Sequence, residues 1–210
     1  VNTVGGYSNP VSNYGTHITG AGGNTNGFDV TQTNQASLYL TTNGNPLVYT
    51  SIANTNGTLN PYTGYFLFIR GDRSVSMSIY NTNVPPTPVP LPTTSTTLRA
   101  TGTIQQGTKT NTNFTNAPIG GIGKQSLLTN PYPSAIDWSL VFSSSSNLEN
   151  AYTLWDPNIS YRGAFVTVTN SGVVTGGGLA TKFIQPGQAF FVTATTATAP
   201  TIIIQESHKA

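Results

Sequence analysis

Apolar side chains along this chain recur at every second position or in short unbroken runs. SVSMSI at 74–79 alternates and places Val75, Met77 and Ile79 on one face; FVTVT at 165–169 alternates likewise. Both patterns predict half-buried strands. Continuous β-branched and aromatic runs at 65–69, 189–193 and 202–204 predict strands covered on both faces. Between them lie NTNG, TTNGNP, NSG and TGGG, all turn chemistry. No window of about eleven residues keeps helical spacing without a Gly, Pro or β-branched interruption. Helix is therefore expected to be minor, one turn near 135–138 or near 146–150.

The strand pattern also repeats. LNPYTGYFLF at 59–68 aligns without a gap to IQPGQAFFVT at 184–193, pairing Leu59 with Ile184, Pro61 with Pro186 and Tyr65 with Phe190. Upstream, SLY at 37–39 matches TLW at 153–155, and NP at 9–10 matches NP at 130–131. Two halves, 9–79 and 130–204, read as divergent copies of one unit. Between them, five prolines from Pro85 to Pro92 favour an extended polyproline spacer or an edge segment laid on the surface. The expected fold is all-β: two related β-sandwich-like units of jelly-roll or immunoglobulin-like kind. The first spans 1–79, the Pro/Thr-rich connector 80–97 and the second 98–210. Leu38, Phe66, Phe68, Met77, Leu128, Trp138, Leu154, Trp155, Phe165, Phe190, Val192 and Ile203 are its expected core.

Composition removes several function classes. Charged residues make up 7% of the 210, against about 25% in an ordinary domain, while 22 Gly and 14 Pro supply turns. A net charge of +2 with no basic cluster argues against nucleic acid as a partner. Cysteine is absent, which excludes disulfides and thiolate metal sites. The longest apolar runs, YFLFI and III, are far too short to cross a bilayer, so no membrane span is expected. With no signal peptide before Val1 and no initiating Met, the chain reads as a mature or processed segment. Asn, Thr and Ser in place of Lys and Glu point to the cell exterior.

NPYPSAIDW at 130–138 reads as architecture, with a sugar-binding edge as the alternative. Pro131 and Pro133 hold their preceding residues extended, Ser134 or Asp137 can bond to nearby amides, and Trp138 anchors the strand expected to follow. Together with YTLWDPN at 152–158, GAFVTV at 163–168, IQPGQAFFV at 184–192 and IIIQESHK at 202–209, it resembles a module of large secreted Bacteroidetes surface proteins. GYFLFIRGDRSV at 64–75 resembles the first half of the same module. Such modules are associated with type IX secretion and typically lie upstream of a sorting domain. The resemblance implies a cell-surface, adhesin-like or repeat role with no common catalysis. No sorting domain follows Ala210, so on that resemblance the chain is a fragment or processed product.

Candidate chemistry is thin. Of the six carboxylates, only Asp137 and Asp156, each beside a Trp, form a pair that could serve glycoside hydrolysis. The plainer reading has Asp137 capping a turn and Asp156 opening the D-P-N turn. His17 and His208 stand at opposite ends without a triad or H-E-x-x-H pattern. No catalytic residue, metal ligand or cofactor is assigned. Arg70-Gly71-Asp72 spells an integrin-recognition tripeptide but reads as a hairpin turn, and the sequons at Asn56, Asn113 and Asn158 arise readily in an Asn/Thr-rich chain.

The expected function is a non-enzymatic extracellular structural or adhesive surface module, with self-assembly into a fibre, filament or sheath as one form of it. Its partners are copies of itself or other surface components. VNTVGG at 1–6, with Val1 and Val4, and TIII at 201–204, with Ile202, Ile203 and Ile204, are the segments able to complete a neighbour's sheet. The arm is the stronger of the two, since TIII is expected to pair within its own chain. The alternative is a carbohydrate-binding module, with glycans stacking on Trp138, Trp155, Tyr132 and Tyr62. Exposure of those four aromatics on one open face would favour sugars, and their burial would favour structure.

Overall fold

The computed structural model describes residues 2–3, 38–44, 46–52, 58–67, 102–114, 116–157, 159 and 163–210. Val1, Val4, His17, Phe68, the Arg70-Gly71-Asp72 turn, SVSMSI with Met77, the connector 80–97, and the sequon residues Asn56 and Asn158 lie outside them. The described residues are mostly strand, in several antiparallel sheets, with one α-helix. Among them no helix is long and apolar enough to cross a membrane.

Contacts divide the chain into two units, one of residues 1–40, 50–59 and 66–102, the other of 41–49, 60–65 and 103–210. In the first, β1 (Asn2–Thr3) pairs antiparallel with β4 (Thr58–Leu59), Asn2 opposite Leu59. The N-terminal arm thus meets a strand of its own chain. A further sheet, not confined to the first unit, has β2 (Leu38–Thr42), β3 (Val48–Ser51) and β5 (Tyr65–Leu67) in the order β3-β2-β5.

The second unit carries the larger sheet. Its strands include β7 (Gln125–Thr129), β9 (Leu148–Asp156), β10 (Ala164–Thr169), β11 (Val174–Thr175) and β13 (Ala189–Ala194), in the order β11-β10-β9-β13-β7. Two short pairs close it: β8 (Ile136–Asp137) with β12 (Phe183–Ile184), and β6 (Lys109–Thr110) with β14 (Ile203–Ile204). TIII therefore pairs within its own chain, as expected, with Ile202 and Ile204 fully buried and Ile203 half-buried.

The repeat seen in the sequence has a counterpart in this order. Leu38 and Tyr39 of SLY fall on β2, TLW on β9, and the two Pro-led aromatic runs on β5 and β13. Order β3-β2-β5 in one sheet answers β10-β9-β13 in the other. The Pro-led turns correspond at backbone level too, because Tyr62 and Gly187, aligned in sequence, both take φ +67. Glycine meets that conformation without strain, whereas a tyrosine there costs on the order of 1–3 kcal/mol, so surrounding contacts must hold it.

The one turn expected near 135–138 or near 146–150 appears, among the described residues, as a longer helix. α1 (Trp138–Ser144) starts where Asp137, in an extended conformation, accepts a hydrogen bond from the Ser139 amide at 2.9 Å. Trp138 thus opens a helix and not the expected strand. Seven residues are too few for independent helix formation, so the buried Trp138 and Val141 hold it by packing. The segment 146–150 instead leads into β9, because Leu148 and the alternating Tyr152 and Leu154 bury one strand face.

The core lies between that face and α1. Trp138 packs against Tyr152, Phe190 and Phe142 at centroid distances of 5.4, 6.0 and 6.2 Å, and Tyr152 meets Phe190 edge-on at 5.8 Å. Leu128, Val166, Val168, Val192, Ile136, Ile184, Ile202 and Ile204 fill the space around them. On β13 three consecutive residues, Phe190, Phe191 and Val192, are buried, which agrees with a strand covered on both faces.

Of the expected core, Leu38, Leu128, Trp138, Leu154, Phe190 and Val192 are buried, and Phe66 and Ile203 are half-buried. Trp155 and Phe165 correct the expectation, being 42% and 44% exposed. Alternation explains both: Tyr152 and Leu154 on β9, and Val166 and Val168 on β10, take the inner face, so Trp155 and Phe165, opposite each other in register, point outward.

Trp138→Ala should lower unfolding free energy by about 3–5 kcal/mol, a large share of a typical domain's total. Trp138→Phe should cost less, since it keeps a ring and removes an indole Nε1 that has no hydrogen-bond partner. Urea denaturation followed by circular dichroism gives both values.

Candidate functional site

The NPYPSAIDW segment is held by an asparagine that the sequence did not single out. Asn130 is buried, its Oδ1 accepts from the Tyr132 amide at 3.0 Å, and its Nδ2 donates to the carbonyls of Ser134 and Ile184 at 2.8 and 3.0 Å. A side-chain amide offers the donor and acceptor of a peptide group, so it ties its own turn to β12. Ser134, one of the two residues expected to bond a nearby amide, has a buried hydroxyl without a partner. Asp137 fills that role.

The four aromatic candidates do not share an open face. Trp138 and Tyr132 are 0% and 1% exposed and belong to the core. The Tyr132 hydroxyl donates to the carbonyls of Gly107 and Ile204, and burial, with the nearby negative charge of Glu206 and the Tyr62 phenol adding to it, pushes its pKa up to about 12. Tyr62 is half-buried, edge-on to Phe114 at 6.2 Å, with its hydroxyl donating to Gln105 Oε1 and Lys109 Nζ 5.3 Å above its ring. Those contacts hold the residue in its left-handed conformation. Only Trp155 stands open to solvent.

Asp137 and Asp156 are each engaged in local structure. Asp137 caps α1 and binds Lys182 Nζ at 2.7 Å. Burial raises its pKa, but hydrogen bonds from Lys182 and Ser139 outweigh that and hold it below the usual carboxylate range. Asp156 is 6% exposed and accepts from the Leu179 amide at 3.3 Å. Its Oδ2 would lie 2.5 Å from a Cβ at Gly178, whose φ is +91, so the glycine run folds over this carboxylate. His208 is buried, with Nε2 3.1 Å from Ser144 Oγ and Nδ1 accepting from the Gln205 amide at 3.4 Å. An amide donor at Nδ1 puts the neutral ring's proton on Nε2. Among the described residues no cluster of three or more His, Asp or Glu side chains could hold a metal.

A cleft of about 220 Å³ opens at the end of the five-stranded sheet, lined by Trp155, Leu179, Thr181, Phe183, Gln185 and Gln188 among others. Leu179, Phe183, Gln185 and Gln188 carried no signal in a single sequence, because their roles depend on the turn between β12 and β13 meeting the end of β9.

Asp137→Asn should lower stability by about 0.5–2 kcal/mol, since it weakens both the cap and the ion pair. Thermal melting at neutral pH and low salt measures the loss. Stability should also fall in mild acid. Burial holds His208 below its ordinary 6.5, against the opposing pull of Asp137, so the unfolded chain takes up the proton first. The contribution is complete above about pH 6.5 and is lost as pH falls from there through the lower folded-state value. Denaturation midpoints across this window should slope downward in the parent and flatten in His208→Gln.

No family model, curated protein or solved structure matches the chain, so the reading of this cleft rests on its own residues.

Proposed function

We propose that this chain is a non-enzymatic structural or adhesive module displayed outside the cell. It is built from two related sandwich-like units joined through the Pro-rich segment 80–97, and it associates with copies of itself. The observation that carries this reading is β3. Among the described residues it stands at the edge of its sheet, is uncharged, and exposes Val48 and Tyr49 at 57% and 48%. Edge strands are normally protected by charge, and this chain has little to spare. The matching strand orders and turns of the two halves support a repeat architecture. Commitment of Asp137 and His208 to structural hydrogen bonds supports a role without catalysis. The resemblance to secreted Bacteroidetes modules supports an exported location and delivery by type IX secretion.

The arm 1–6 is the route to association. Its pairing of Asn2–Thr3 with Thr58–Leu59 can form equally well between two copies, and an exchange of this head-to-tail kind propagates. Sedimentation velocity over a wide concentration range should show growing assemblies for the full chain and folded monomers after deletion of 1–6. A full chain that stays monomeric at its highest soluble concentration overturns the self-association. Turnover of any member of a polysaccharide and peptide panel overturns the non-enzymatic reading.

A further inference from the structure

Residues 205–210 are held to the second unit without an apolar anchor. Only His208 among them is buried; Glu206, Ser207 and Ala210 are exposed. Elsewhere in this unit short segments are pinned by branched apolar side chains: Ile136 on β8, Ile184 on β12, and Ile202 and Ile204 at β14. Here the pin is an imidazole, the side chain that ordinarily changes charge between about pH 5 and 8.

The two ring nitrogens join the segment to the helix. Nδ1 accepts from the Gln205 amide at 3.4 Å, and Nε2 stands 3.1 Å from Ser144 Oγ at the end of α1. The first bond needs the neutral ring. Once protonated, Nδ1 carries a hydrogen aimed at the Gln205 N–H, and a charged ring sits where water is excluded. The surroundings offer little compensation. α1 and β14 carry no titratable side chain. Asp137, between β8 and α1, is the carboxylate whose charge reaches the imidazole, and Lys182 already binds it at 2.7 Å. In the segment itself Glu206 pairs with Lys209 and accepts from the Gly107 amide at 2.7 Å, with Lys109 on β6 nearby. Those bonds hold Glu206 below the ordinary carboxylate range, so it stays ionised while His208 titrates.

The other holds on the segment lie near its surface. The Ala210 amide donates to the Ala135 carbonyl at 3.0 Å, Lys209 forms a bridge with Ile136, and Lys209 Nζ sits 4.6 Å above the Tyr132 ring. The residues just before it are anchored independently of the imidazole, because Ile202 and Ile204 are fully buried and β14 pairs with β6. We propose that His208 is a latch: the neutral ring holds residues 205–210 against α1 and β8, and its protonation in mild acid releases them while the sheet and α1 stay folded. Release uncovers the edge of β8 at Ile136, because Lys209 is its partner on the side away from β12. Burial of the ring sets the window. The latch is closed above about pH 6.5 and opens as pH falls through the lower folded-state value. This inference stands apart from the surface-module reading, which neither requires nor forbids release in acid.

Hydrogen–deuterium exchange of the full chain at about pH 7.5 and about pH 5, read by mass spectrometry and scaled for the intrinsic exchange rate, tests it. The amides of His208, Lys209 and Ala210, which donate to the carbonyls of Gln205, Glu206 and Ala135, should lose protection by about tenfold or more in acid. Amides of β9 and β13 should keep theirs. His208→Gln, whose amide can accept from Gln205 and donate to Ser144 without gaining charge, should show no such loss. A second readout needs no substitution. Nitrogen-15 spectra of the ring in the parent should place the proton on Nε2 at neutral pH and show a titration below 6.5 that coincides with the loss of protection. Unchanged protection of 206–210 in acid, an equal loss in His208→Gln, strand amides exchanging in step with the segment, or a ring that titrates at 6.5 or above overturns the proposal.

Discussion

The packing of Trp138 against Tyr152 and Phe190 joins the three parts of the second unit. Trp138 is the first residue of α1, Tyr152 lies on the central strand of the sheet, and Phe190 on the strand beside it. With no disulfide and few charges, burial of these rings is the main force drawing the helix onto the sheet. Asp137 positions the tryptophan by capping the helix, and Lys182 ties that cap to the segment leading into β12. The Tyr152 hydroxyl, donating to the Thr181 carbonyl, secures the same segment from the other side. The cleft over Tyr152, Leu154 and Asp156 is bounded by this segment, so its shape depends on the core beneath it.

Asparagine does much of the work that charge or disulfides do elsewhere. Besides Asn130, Asn111 donates to the Pro200 carbonyl at 2.6 Å and accepts from the Ile202 amide at 2.8 Å, which ties its turn to the approach to β14. Asn43 accepts from the Leu127 amide at 3.0 Å and donates to the carbonyls of Asn116 and Ala117, both at 2.9 Å. Each side chain imitates a peptide group and satisfies backbone that the short strands leave unpaired. An Asn-rich composition is thus compatible with a compact core despite many loops, and it leaves the surface neutral.

The two Pro-led turns show how one backbone shape serves two chemistries. Gly187 adopts its positive φ freely and leaves the end of β13 open beside Gln185 and Gln188. Tyr62 adopts the same φ only because Phe114 and Gln105 hold its ring and hydroxyl, so that turn is closed by an aromatic. Gly64 follows two residues later, where a Cβ would fall 2.4 Å from the Leu127 side chain, and no larger residue fits without displacing it.

Strand character and the minor share of helix were legible in the sequence. Each follows from local periodicity and turn residues, and the burial of Leu38, Leu154, Phe190 and Val192 followed with them. The candidate site was legible only as a list of aromatics. Trp138 and Trp155 look alike on paper, each beside an aspartate, yet one is at 0% exposure and the other at 42%. Alternation along β9 and β10 divides their residues between two faces but does not say which face is covered. That was decided when α1 and the β8–β12 pair packed over Tyr152, Leu154, Val166 and Val168 and left Trp155 and Phe165 on the other side. The amides of Gln185 and Gln188 were beyond the reach of sequence for the same reason, because a cleft exists only where separate segments meet.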